Sequence, residues 1–98
     1  MIPGGTIQKD PSAERFVTFN WSADLGTATI TTSTFTITGP DSALTKDNPS
    51  ILSPATSTTV RLIGGTAGKT YTLTNRIVTN ESPTQTDERS VFIAVKDL

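Results

Sequence analysis

The chain predicts an all-β sandwich of about seven antiparallel strands, and three observations carry that prediction. The chain is rich in Thr, with Ser and further β-branched residues such as Val beside it, while the straight-chain helix formers are sparse, so β-branched preference prevails. Apolar residues recur at every second position in short runs separated by Gly, Pro, Asn and Asp, the spacing of half-buried strands. The third observation is the stretch Val60 to Val78, in which a Gly-rich corner (Gly64, Gly65, Gly68) joins two alternating strands and Tyr71 stands just past the corner. A tyrosine there matches the tyrosine corner of immunoglobulin-like sandwiches, whose phenol ties the loop to backbone. The expected architecture is therefore an immunoglobulin-like Greek key with almost no helix.

Ninety-eight residues fit a single domain, 1–98, able to bury one modest core. Met1 to Gly5 reads as a short N-terminal arm: an apolar tip on a Pro-Gly-Gly hinge. Two readings stand for it, an arm held by a neighbouring chain or one lying against its own domain ahead of a first strand at Thr6 to Gln8.

Lys9-Asp10-Pro11 punctuates the chain before the run RFVTFNWS. Val17, Phe19 and Trp21 share one side and form the expected core, with Trp21 as its anchor because its large area gains most from burial. Phe16 is out of phase, and we expect it to cover the boundary between the first and second strands. After the turn Ala23 to Gly26 comes the Thr-rich strand TATITTSTFTIT, where Ile30 and Phe35 have opposite parity. Burying both requires a β-bulge between Thr31 and Ser33. Leu44 to Pro54 reads as a short edge strand with loop, since Pro49 and Pro54 cannot donate to a ladder. Leu44, Ile51 and Leu52 are its burial candidates.

Past the corner, Tyr71, Leu73, Asn75 and Ile77 share the inward parity. A buried Asn must find partners or cost about 1–3 kcal/mol. Loop backbone or Arg89, which also has inward parity, is the expected partner. The last strand buries Val91, Ile93 and Val95 by alternation. Arg76 and Phe92 fall on the outer face, where Arg and aromatic side chains suit a protein contact.

Composition also excludes chemistries. No Cys and no His means no disulfide framework, no thiolate metal site and no imidazole base or ligand. A formal charge of -1 with scattered signs offers no basic stripe for nucleic acid or an anionic membrane. No apolar segment is long enough to span a bilayer, and the N-terminus lacks a secretory pattern, so we expect a soluble protein made without a signal peptide. Asp87 and Glu88 adjoin but point to opposite faces of a strand, so they cannot act as a paired acid and base. No spaced multi-ligand loop surrounds Asp24 or Asp41, and no nucleophile motif surrounds any Ser or Thr. We expect no catalytic residues, no metal and no cofactor.

Three pieces in order, KDPSAERFVTFNWSADL from Lys9, GGTAGKTYTLTNRI from Gly64 and TDERS from Thr86, resemble the small phage and prophage structural proteins described as fiber-tail adaptors. The segment between Thr38 and Ser57 departs from that pattern by its length and its extra prolines. The resemblance implies a non-catalytic virion protein, made in the cytoplasm of a bacterial host, that links tail or neck proteins to fibers in multiple copies. Under it, Ile2, Pro3, Arg76 and Phe92 are the expected partner contacts and Trp21, Tyr71, Asn75 and Arg89 the structural anchors. Readings in other classes are a carbohydrate- or receptor-binding module and a capsid decoration protein of the same fold. The loops offer a sugar almost no aromatic platform.

Overall fold

A computed structural model of the chain describes residues 5–97, so the expected contacts Ile2 and Pro3 lie outside the described residues. Seven strands occur in chain order: β1 Thr6–Lys9, β2 Glu14–Asn20, β3 Ile30–Thr38, β4 Leu44–Leu52, β5 Ser57–Gly64, β6 Thr70–Thr79 and β7 Thr86–Val95. One helical turn, α1 Ser22–Leu25, separates β2 from β3. The strands form two packed sheets, one ordered β1-β7-β6-β3 and the other β2-β5-β4. All pairings are antiparallel except β1 with β7. This is the predicted all-β, immunoglobulin-like sandwich.

The alternating residues meet between the sheets. Val17, Phe19 and Trp21 from β2 and its end, Val60 and Leu62 from β5, Tyr71, Leu73 and Ile77 from β6, and Val91, Ile93 and Val95 from β7 form one buried cluster. Phe19 and Phe35 pack across it as a tilted ring pair with centroids 5.9 Å apart. The parity conflict in β3 is resolved as expected by a register shift between Ile30 and Thr32, and both Ile30 and Phe35 are buried. The same device operates in β4, whose register shifts between Asp47 and Ser50 around Asn48, at φ 50°. Asn accepts that left-handed backbone more readily than most residues. The shift reconciles inward Leu44 with Ile51 and places Pro49 in a bulge on an edge strand, where its missing N–H costs no ladder bond.

Four expectations need correction. β4 is a full nine-residue strand rather than a short one, because the bulge lets the ladder to β5 resume beyond Pro49. Leu52 is exposed, since the shifted phase turns it outward. Phe16 covers no boundary between β1 and β2, because those strands lie in different sheets; it stands 59% exposed on the outer face of the second sheet. β1 runs through Lys9, which is buried rather than part of a loop.

Candidate functional site

Lys9 follows Ile7 on the inward side of β1, beside Val95 in the register. Its Nζ donates to Gly64 O at 2.6 Å and to Asp10 O at 3.0 Å, fastening β1 to the Gly-rich corner. Burial holds its ammonium pKa below the ordinary lysine value, opposed by the nearby Asp10 and Glu14 carboxylates. Asp10 closes the next turn by accepting from Ser12 N at 2.9 Å and Ser12 Oγ at 2.6 Å. Parity with Ile7 was the available signal for Lys9 in the sequence, outweighed there by how seldom a lone lysine goes inside.

The corner itself is tied by Tyr71. Its hydroxyl accepts from Thr66 N–H at 3.0 Å and donates to Asp41 Oδ1 at 2.6 Å. Asp41 also accepts from Ala43 N at 3.0 Å and Thr66 Oγ1 at 2.9 Å, so one carboxylate joins the β3–β4 loop to the β5–β6 corner. Gly39 is required here because a Cβ would sit 2.4 Å from the Tyr71 ring. The Tyr71 hydrogen bond, then Ala43 N–H, holds the Asp41 carboxyl below the usual carboxylate range. Arg61 does the same for Asp47 through bonds of 2.7 and 2.5 Å.

Both depressed carboxyls favour the folded state above their unfolded pKa of about 4, and that contribution is lost as pH falls through their lower folded values. We therefore expect the melting temperature to drop as the solution is acidified below pH of about 4, and Tyr71→Phe to shrink that acid-dependent drop. A Tyr71→Phe profile parallel to wild type would show that the phenol does not set the Asp41 titration. At neutral pH the same substitution should cost about 1 kcal/mol for the lost net hydrogen bonding.

At the opposite end, the structure brings Trp21, Asn75 and Arg89 together. Trp21 Nε1 donates to Asn75 Oδ1 at 2.9 Å, and Thr58 Oγ1 donates to the same oxygen at 2.6 Å. Asn75 Nδ2 donates to Ser33 Oγ at 2.9 Å and Thr34 O at 3.2 Å. Arg89, one of the two expected partners, stands opposite Asn75 in the β6–β7 register, but its side chain goes elsewhere, and the backbone acceptor that Asn75 finds, Thr34 O, lies in β3 rather than in a loop. The Arg89 guanidinium lies 4.5 Å over the Trp21 ring, donates to Asn20 O at 2.8 Å and pairs with Asp24 on α1. Cation-π stacking and the ion pair thus close the sandwich over Trp21.

Arg76 and Phe92 lie on the outer face of the β1-β7-β6-β3 sheet. Arg76 is opposite Glu88, and Phe92 is opposite Thr72 on one side and Thr6 on the other. The two pairs are four positions apart, about 13 Å along the strands. Phe92 is 43% exposed among Thr and Ser neighbours. The other sheet presents a second outer patch that the sequence reading missed: Phe16 next to Arg61, which bridges Glu14 and Asp47. Its signal was the shared outward parity of Glu14 and Phe16. Among the described residues, no group of three or more His, Cys, Asp or Glu side chains is placed to hold a metal ion.

No curated protein and no solved structure matches the chain. One protein family does, that described as podophage GP4 fiber-tail adaptor protein gp77, and the match runs over residues 9–94. It starts at buried Lys9 and ends one residue short of the end of β7, so it spans both sheets, the tyrosine corner and the Trp21–Asn75 cluster. The chain belongs to the podophage fiber-tail adaptor family, whose role is structural.

Proposed function

We propose that the chain joins tail or neck proteins to fibers in the virion, in multiple copies and without catalysis, through protein contacts on its outer faces and N-terminal arm. Phe92 carries this reading: a large aromatic side chain stands 43% exposed on a sheet face of polar neighbours that also presents Arg76. A buried aromatic with an Arg nearby is the usual composition of a contact centre. Ile2 and Pro3 precede β1 in the sequence and are apolar, the composition of a short segment able to dock on a neighbour.

The test compares Arg76→Glu, Phe92→Glu and a chain lacking residues 1–5 with wild type. Arg76→Glu and Phe92→Glu change outward side chains and should keep the wild-type melting temperature, while the shortened chain, which gives up the Gly5 carbonyl that accepts from Phe92 N at 2.9 Å, should stay folded with little change in it. Each should be recovered in purified particles at several-fold lower copy number, read by quantitative immunoblot. Wild-type recovery of all three would remove this surface from the adaptor contact and turn attention to the Phe16–Arg61 patch.

A further inference from the structure

We infer that β1 is a removable cover for the edge of β7, fastened through Lys9, and that its release turns the uncharged end of β7 into a strand that pairs with other copies of this chain. Such a cover holds copies apart, a task distinct from the adaptor contacts above.

β6 occupies one edge of β7 from Thr86 to Ala94, so the opposite edge is the one in need of a neighbour. Among the described residues that edge divides in two. Its first half, Thr86 to Ser90, has no strand beside it and carries Asp87, Glu88 and Arg89. Charges of this kind keep an open edge from pairing. Its second half, Phe92 to Val95, is the part that β1 covers. The run Ser90 to Val95, SVFIAV, holds no charge, no proline and no glycine, and every residue after the serine is apolar. Short segments of that composition, once exposed, stack on identical segments of other chains. β3 is also an edge, but no two apolar residues adjoin in it from Ile30 to Thr38.

β1 is placed to come away without the rest of the fold. It is four residues long, and its inward side chains are half-buried Ile7 and buried Lys9. Phe92 N–H donates to Gly5 O and Lys96 N–H to Lys9 O, both at 2.9 Å. Among the described residues, the Lys9 ammonium makes the one side-chain hydrogen bond from β1 to a distant part of the chain, to Gly64 O at 2.6 Å. The turn that follows closes on itself: Ser12 N and Oγ donate to Asp10 Oδ1, and Ala13 N donates to Asp10 O at 3.0 Å. β2 can therefore start at Glu14 with β1 seated or released. The ammonium meets backbone carbonyls and enters none of the ion pairs among the described residues. Carbonyls alone repay only part of its lost hydration, so Lys9 fastens β1 reversibly.

Self-association of the full chain, followed by thioflavin T fluorescence and sedimentation, tests the cover. Ile7→Asp puts a carboxylate on the inward side of β1 and should raise the open population, and with it the rate of association, about tenfold or more. Ile7→Ser should act in the same direction to a smaller extent. The chain has no Cys, so Gln8→Cys with Ala94→Cys, directly opposite in the register, gives a single disulfide that locks β1 in place. In the Ile7→Asp background the oxidised lock should return association to the wild-type rate, and reduction should release it. Ala94→Lys added to Ile7→Asp instead charges the β7 edge and should abolish association while β1 stays open. All variants should keep the wild-type circular dichroism spectrum; if Ile7→Asp unfolds the chain, the same comparisons are made in Ile7→Ser. Association of both Ile7 variants at the wild-type rate, or equal rates for the oxidised and reduced lock, would overturn the cover. Undiminished association of Ile7→Asp/Ala94→Lys would overturn β7 as the pairing edge. These readings use the isolated chain, so they stand apart from its recovery in particles.

Discussion

Trp21→Ala is expected to lower the unfolding free energy by about 3–5 kcal/mol, the usual cost of deleting a fully buried large aromatic. The residue has 0% exposure, sits at the end of β2 and reaches across to β6 through its indole N–H. Truncation removes the apolar contacts, opens a cavity between the sheets, and takes away the ring over which Arg89 stacks. It leaves the backbone bond from Trp21 N to Thr56 O in place, so the loss reports on the side chain. A domain of this size has about 5–15 kcal/mol of stability in total, so the variant should unfold at a far lower urea concentration. Trp21→Phe should fall between the two, because it restores much of the ring but not the donor to Asn75. A wild-type unfolding midpoint for Trp21→Ala would mean that the two sheets do not close on this side chain.

Asn75→Leu should be comparably damaging although it adds apolar surface to an apolar core. Two buried donors, Trp21 Nε1 and Thr58 Oγ1, share the Asn75 carbonyl oxygen, and Asn75 has 0% exposure. Removing the acceptor orphans both, at about 1–3 kcal/mol each and so about 2–6 kcal/mol together. No buried side-chain nitrogen or oxygen among the described residues lacks a partner in the wild type, so the substitution creates a defect where none existed. The double variant is the sharper test. Adding Thr58→Val to Asn75→Leu removes one orphan along with its lost acceptor, so the pair should cost less than the sum of the two single changes. Strict additivity in urea titrations would show that Thr58 and Asn75 are energetically independent despite their 2.6 Å contact.

The two variants probe residues that differed in how far alternation could describe them. Parity alone placed Asn75 inside with Tyr71, Leu73 and Ile77, and the structure agrees. It could not name the partners, because Trp21 and Thr58 come from 54 and 17 residues away and arrive on the opposite sheet. Arg89 shows the same limit. Its inward phase was readable, yet whether it would meet Asn75 or the Trp21 ring depended on α1 carrying Asp24 to the guanidinium.

The β class, the strand count, the inward apolar residues of β2, β3, β5, β6 and β7, the bulge in β3 and the Tyr71 corner were all legible in the sequence alone, because each follows from residues a few positions apart. Side-chain direction along a strand and the backbone demands of a turn are local properties. Only the tertiary structure decided that β1 pairs with β7 while β2 lies in the other sheet, that Lys9 goes inside, and that Phe16 stays out. Each of these depends on a distant group: the edge of β7 for β1, the Gly64 carbonyl 55 residues on for Lys9, and the closing of the second sheet around β5 for Phe16. A buried ammonium is costly unless a carbonyl is waiting for it. Which carbonyl waits is a matter of how two sheets meet, and no periodicity along the chain encodes it.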